Sequence, residues 1–170
     1  MKYAIPLLLF LFILSSCDHQ KFELHYDHDN VAYIDKAALP ELSIHKNIYV
    51  PAYSDIYYET EDKVTYLTVI LSVRNISFKD TIYVDGIEYY NSSGKLVHSY
   101  IDKVLMLRPM ESMEYIVRST DKKGGSGANF VVSYHAAEHI KNLPLIESVM
   151  MGNLDNYRFS FTSRGVEINP

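Results

Sequence analysis

Tyr66-Leu67-Thr68-Val69-Ile70-Leu71-Ser72-Val73-Arg74 carries an aliphatic side chain at every second position: Leu67, Val69, Leu71 and Val73. The intervening set is mostly polar. A period of two places alternate side chains on opposite faces of an extended chain, so this stretch reads as a strand with one face in a core and one towards water. The same alternation returns downstream. Met113, Tyr115 and Val117 alternate with Glu114, Ile116 and Arg118; Phe130, Val132 and Tyr134 with Val131, Ser133 and His135; Phe159 and Phe161 with Arg158, Ser160 and Thr162.

Turn residues punctuate these runs. Asn91-Ser92-Ser93-Gly94-Lys95 separates Ile87-Glu88-Tyr89-Tyr90 from Leu96-Val97-His98-Ser99-Tyr100 and predicts a hairpin. Arg108-Pro109-Met110-Glu111 closes the run from Val104 to Leu107. Asp85-Gly86 breaks the rhythm: Ile82 and Val84 share a face with Ile87 and Tyr89 only if one residue bulges out of the ladder. Short strands, no long amphipathic helix and no repeats predict an all-β domain. The expected architecture is an antiparallel immunoglobulin-like β-sandwich of about seven to nine strands, with a small β-barrel as the alternative. The Cys–Trp–Cys hallmark of antibody domains is absent, so the likeness is one of architecture.

Composition agrees with a globular domain. Of 170 residues, 48% are apolar and 22% charged, which excludes whole-chain disorder and a multi-span membrane protein. Fifteen Tyr and no Trp suit strands built on aromatics. Sixteen basic residues against twenty-one acidic ones leave a net charge of −5, with no basic excess to neutralise a phosphate backbone. No nucleic-acid partner is expected.

The first residues set the location. Met1-Lys2-Tyr3 supplies a positive charge and Ala4 to Leu14 an apolar run, shorter than the about 20 residues needed to cross a bilayer. A charged start, a short apolar middle and small residues at its end describe a secretory signal. Leu14-Ser15-Ser16-Cys17 resembles the bacterial lipobox, in which a diacylglyceryl thioether forms on the Cys before cleavage ahead of it. Cys17 is the single cysteine of the chain and stands where a lipobox requires it, so lipidation at Cys17 is expected and a disulfide within the chain is impossible. Resemblance to lipoproteins implies further acylation, and more than one acyl chain makes anchoring stable. The expected organisation is a signal peptide over 1–16, a lipid-anchored tether over 17–47 and the β-sandwich over 48–170, in a bacterial envelope outside the cytoplasm. Inner and outer membrane both stay open.

The tether has mixed charge and no period. His25-Tyr26-Asp27-His28-Asp29 holds metal-capable side chains, but a metal site needs fixed geometry as well as ligand types, so a solvated linker is the simpler reading.

Beyond these patterns the chain resembles a known family. Tyr49-Val50-Pro51-Ala52-Tyr53-Ser54, Leu71-Ser72-Val73-Arg74-Asn75 and Tyr89-Tyr90 before Gly94-Lys95-Leu96-Val97 are similar to its opening blocks. Gly124-Gly125-Ser126-Gly127-Ala128-Asn129-Phe130, Ile146-Glu147-Ser148-Val149-Met150 and Ser163-Arg164-Gly165 are similar to its later ones. This is the bacterial family catalogued as domain of unknown function 3124, and the resemblance spans about Ile48 to Ile168. It implies no biochemical role and carries over no catalytic residue.

Three constellations could carry chemistry. His135-Ala136-Ala137-Glu138-His139 matches the H-x-x-E-H string of inverted zinc metallopeptidases, where a helix aligns both histidines on one face. Here His135 ends an alternating strand, and Asn142 and Pro144 follow closely, so a strand running into a polar turn is the plainer reading. His135 and His139 remain weak metal candidates. The loop Lys122-Lys123-Gly124-Gly125-Ser126-Gly127 up to Asn129 could aim N–H groups at an anion with two lysines beside them, or could be a hairpin loop that needs positive φ. It is the candidate surface for a ligand or protein partner. The tyrosines Tyr49, Tyr53, Tyr57 and Tyr58 in one stretch, and Tyr89-Tyr90 in another, suit either strand packing or a wet interface. Asn75-Ile76-Ser77 and Asn91-Ser92-Ser93 fit the glycosylation pattern, which a bacterial lipoprotein gives no reason to use.

No catalytic residue and no cofactor are expected. The leading expectation is a non-enzymatic membrane-anchored binding module, with a small-anion sensor and a zinc hydrolase as the other readings.

Overall fold

A computed structural model describes residues 31–169. Cys17, the signal segment and the His25–Asp29 run lie outside the described residues.

The strands β5 (Thr68–Arg74), β9 (Ser112–Val117), β11 (Leu145–Leu154) and β12 (Tyr157–Arg164) form one antiparallel sheet in the order β12-β11-β5-β9. The second sheet has β6 (Ile82–Tyr90) and β10 (Asn129–Ala136) at its centre, and runs β1-β8-β6-β10-β2-β13. Here β1 is Ala32–Ile34, β2 is Ile44–Pro51, β8 is Val104–Leu107 and β13 is Val166–Ile168; β7 (Leu96–Ser99) adds to β6. A separate hairpin pairs β3 (Asp55–Tyr58) with β4 (Thr60–Tyr66). Neither sheet closes on itself, so the fold is the expected β-sandwich and not the barrel.

The alternation read from the sequence builds the core. Leu67, Val69, Leu71 and Val73 are fully buried, facing Phe130, Val132 and Tyr134 together with Ile82, Val84, Ile87 and Tyr89 of the other sheet. Burying such a side chain stabilises the fold by about 1.5–3 kcal/mol before entropy is counted. The ladder between β6 and β10 shifts between Ser133 and Tyr134: Ser133 faces Gly86 and Tyr134 faces Val84, leaving Asp85 unpaired. The bulge expected at Asp85-Gly86 is therefore present. It keeps Ile82, Val84, Ile87 and Tyr89 inward and turns Asp85 outward. In the 91–95 hairpin, Asn91 Oδ1 accepts the N–H groups of Ser93 and Lys95.

Two expectations are corrected. There are thirteen strands among the described residues, not seven to nine. The additional ones include β1 and β13, pieces of three residues with little or no burial, which leave almost no trace in hydropathy. The sandwich also starts before Ile48. Ala32–Ile34 pairs with Met106–Val104, and β2 begins at Ile44. Polar side chains such as His45 and Asn47 on its outward positions hide that start.

Asn75 is the hub of one end of the sandwich. Its Nδ2 donates to the carbonyls of Asp80, Leu107 and Arg108, while its Oδ1 accepts from the N–H of Ser77. The residue is only 2% exposed, so its place in the glycosylation pattern is a coincidence of a structural asparagine.

Candidate functional site

The loop that leads into β10 is held by two serines. Ser54 Oγ accepts the N–H of Gly125 at 2.6 Å, and the backbone N–H of Ser54 donates to the Gly125 carbonyl. Ser92 Oγ accepts the N–H of Gly127 at 2.9 Å, and both the N–H and the hydroxyl of Ser92 donate to the Gly124 carbonyl. Asp121 Oδ1 accepts the N–H of Lys123. Gly125 has φ of +84°, the left-handed region that favours glycine. Gly124 is buried against Tyr89, where no side chain fits. Close packing thus accounts for Gly124 and positive φ for Gly125. The N–H groups of Lys123, Gly125 and Gly127 are engaged within the protein, and Asn129 is already paired in β10 with Pro51 and Tyr90.

Charge at this end comes from side chains. Lys122 and Lys123 are exposed, and with Arg118 and Asp121 they line a groove of about 650 Å³ that has Tyr100 and Ile116 in its wall. Lys122 Nζ sits 4.3 Å from the centroid of the ring of Tyr66 in β4, a cation–π contact. Burial pushes the Tyr100 hydroxyl up to about 12, with Tyr89 and Asp121 nearby adding to it. A second groove of about 740 Å³ opens between β4 and the β11–β12 hairpin, lined by Tyr66, Met151, Arg158 and Phe159 among others.

The H-x-x-E-H string is not a helix. His135 lies in β10, whereas Glu138 and His139 lie in the turn that follows. The two histidines have different partners: His135 Nε2 meets Asp85 Oδ2 at 3.0 Å, and His139 Nε2 meets Asp80 Oδ1 at 3.1 Å. The metallopeptidase arrangement is absent because it needs a helix to stack residues four apart on adjacent turns, whereas here the strand ends at Ala136 and His139 lies in the turn beyond it. His135 instead stacks on His45, its cross-strand partner in β2, with ring centroids 4.3 Å apart and planes 13° from parallel. Sequence reading missed His45 and Asp85. The one available signal was the bulge at Asp85-Gly86, and His45 lay in a segment read as tether.

The expected tyrosine surface is divided. Tyr57 is 59% and Tyr53 38% exposed, whereas Tyr89 is a core residue. Among the described residues, no helix is long and apolar enough to cross a membrane.

Comparison with known proteins agrees with the blocks quoted above. No curated protein matches the chain. The crystal structure of Thermotoga maritima 1070 is similar at a TM-score of 0.40 and 11% identity, over 71% of this chain and 92% of that one. Residues 45–168 match a family described as protein of unknown function (DUF3124). The match covers well over half of the chain, which belongs to the DUF3124 family.

Proposed function

We propose that the protein is a lipid-anchored component of the bacterial envelope that works by binding, and that it presents the groove of Arg118, Lys122 and Lys123 to an anionic group on its partner. The anchor rests on Cys17, a single cysteine at the lipobox position. The binding role rests on one observation above the rest: three cations line a single groove beside a loop that Ser54 and Ser92 hold fixed. A preorganised surface loses little conformational entropy on association, so modest contacts suffice for affinity. Recognition falls to side chains, since much of the loop's backbone is engaged internally. A hydrolase built on His135, Glu138 and His139 has no comparable support, because its two histidines serve different carboxylates.

The test is in-cell crosslinking of the tagged full-length chain, with two variants beside it. Cys17→Ser is expected to abolish lipid labelling and signal cleavage at this site; normal processing and an unchanged membrane fraction would overturn the anchor. Lys122→Glu with Lys123→Glu is expected to remove the dominant crosslinked partner while the protein stays at the membrane. An identical crosslinking pattern in that variant would overturn the groove as the binding surface.

A further inference from the structure

Three neighbouring strands bring a donor set together on the outward face of the larger sheet. His45 on β2 and His135 on β10 face each other across the ladder, and Asp85 reaches the same place from β6 through the bulge. One nitrogen from each histidine and one carboxylate oxygen of Asp85 all lie within 4.8 Å of one another. Bulges commonly re-aim a side chain, and this one sets Asp85 beside His135. The second oxygen, Asp85 Oδ1, is buried and has no hydrogen-bond partner. A desolvated carboxylate oxygen left unmatched is costly, and a cation bound beside it would offset that cost.

We infer that His45, Asp85 and His135 form a binding site for a divalent transition-metal ion, zinc foremost, with coordination positions left open to solvent. Two imidazoles and a carboxylate form a borderline donor set that suits zinc, copper or nickel and not the all-oxygen preference of calcium or magnesium. Three protein ligands fall one short of a closed tetrahedral site, so at least one position stays available to water or a ligand. Bonds of about 2.0–2.1 Å in a tetrahedron put donor atoms about 3.3 Å apart, so the cluster must contract slightly on binding. His45 supplies that movement: it is exposed, and β13 pairs with β2 only at Asn47, Ile48 and Tyr49, leaving β2 outermost at His45. His135 and Asp85 are already joined at 3.0 Å. The inference is independent of the basic groove and of the lipid anchor.

The experiment is titration of detergent-solubilised, chelator-treated full-length protein with zinc in competition with a chromophoric chelator. Wild type is expected to take up about one equivalent. His45→Ala, Asp85→Asn and His135→Asn are each expected to weaken binding at least about tenfold, a loss that even outer-shell partners of a metal can produce. His139→Ala is expected to bind as wild type does. His45→Ala changes an exposed side chain, so a folding failure does not confuse the comparison. Less than about a tenth of an equivalent in wild type, or equal binding by wild type and His45→Ala, would overturn the site. A loss in His139→Ala matching that in His45→Ala would overturn this ligand set.

Discussion

Gly124 lies directly against the hydroxyl of Tyr89, so close that a Cβ at Gly124 would overlap the phenol and stand 2.7 Å from Ser54 Oγ. Tyr89 is 1% exposed and packs its ring on Phe130 at 4.9 Å, so it has nowhere to retreat. Gly124→Ala is therefore expected to destabilise the fold by about 1–3 kcal/mol through overpacking. Gly127, three residues on, is the control: its nearest neighbour to an added Cβ is Ser92 Oγ at 3.5 Å, ordinary contact. Gly127→Ala should stay within about 0.5 kcal/mol of wild type. Urea midpoints at a shared m-value decide it; equal midpoints would mean that Tyr89 moves aside.

Asn75 makes a second prediction of the same kind. Its amide satisfies three carbonyls from two loops, and an isosteric carboxylate would turn those donors into repulsive charge. Asn75→Asp is expected to cost at least about 3 kcal/mol, since buried carbonyls lose their donors and a buried charge gains no partner. Asn91→Asp gives the contrast, because the Asn91 contacts shown are to its Oδ1, as acceptor of two exposed backbone N–H groups. A thermal melt of Asn75→Asp within a few degrees of wild type would refute the hub.

What the sequence made legible was what repeats locally. The broken alternation at Ile82, Val84, Ile87 and Tyr89 pointed to the bulge because each residue constrains its neighbours at spacing two or three. Core strands were legible for the same reason. The partners of the glycine loop were not, because Ser54 and Ser92 are contributed from 71 and 35 residues away by hairpins whose register no local pattern encodes. His135 was visible as a histidine, but its nearest carboxylate in sequence, Glu138, lies in the turn beyond the strand. Its actual partner, Asp85, is 50 residues upstream. Strand pairing, not sequence proximity, assembles that cluster.

Buried tyrosines predict an alkaline limit to stability. Burial pushes Tyr100 and Tyr134 each up to about 12 from an ordinary 10.0. Tyr115 is also raised by burial, with Tyr33 contributing. A tyrosine with a raised folded pKa stays neutral in the native state while the unfolded chain ionises. Its contribution is complete below pH about 10 and is lost as pH rises towards 12. Each such residue adds up to about 1.4 kcal/mol of destabilisation per pH unit in that window. Tyr100→Phe should flatten the dependence by about one proton's worth, measured as urea midpoint against pH, while tyrosinate absorbance tracks ionisation. An unchanged slope would show that Tyr100 ionises in the native state as it does unfolded.

The bulge itself can be tested by removing it. Ser133 faces Gly86 and Tyr134 faces Val84, so deleting Asp85 joins the two halves of the ladder in one continuous register. Ile82 and Val84 stay inward with Ile87 and Tyr89, because one outward residue then separates Val84 from Ile87 instead of two. Deletion of a residue from a central strand ordinarily flips every side chain beyond it; here it restores strict alternation. The deletion variant is expected to fold cooperatively and to lie within about 2 kcal/mol of wild type, the remaining cost coming from lost local twist. It removes the carboxylate that meets His135. A bulge kept only for the packing of the sheet would make this deletion as damaging as Val84→Asp, which buries a charge in the core. Non-cooperative unfolding of the deletion variant would establish that structural role, whereas a stable variant that binds no zinc would assign the bulge to holding Asp85.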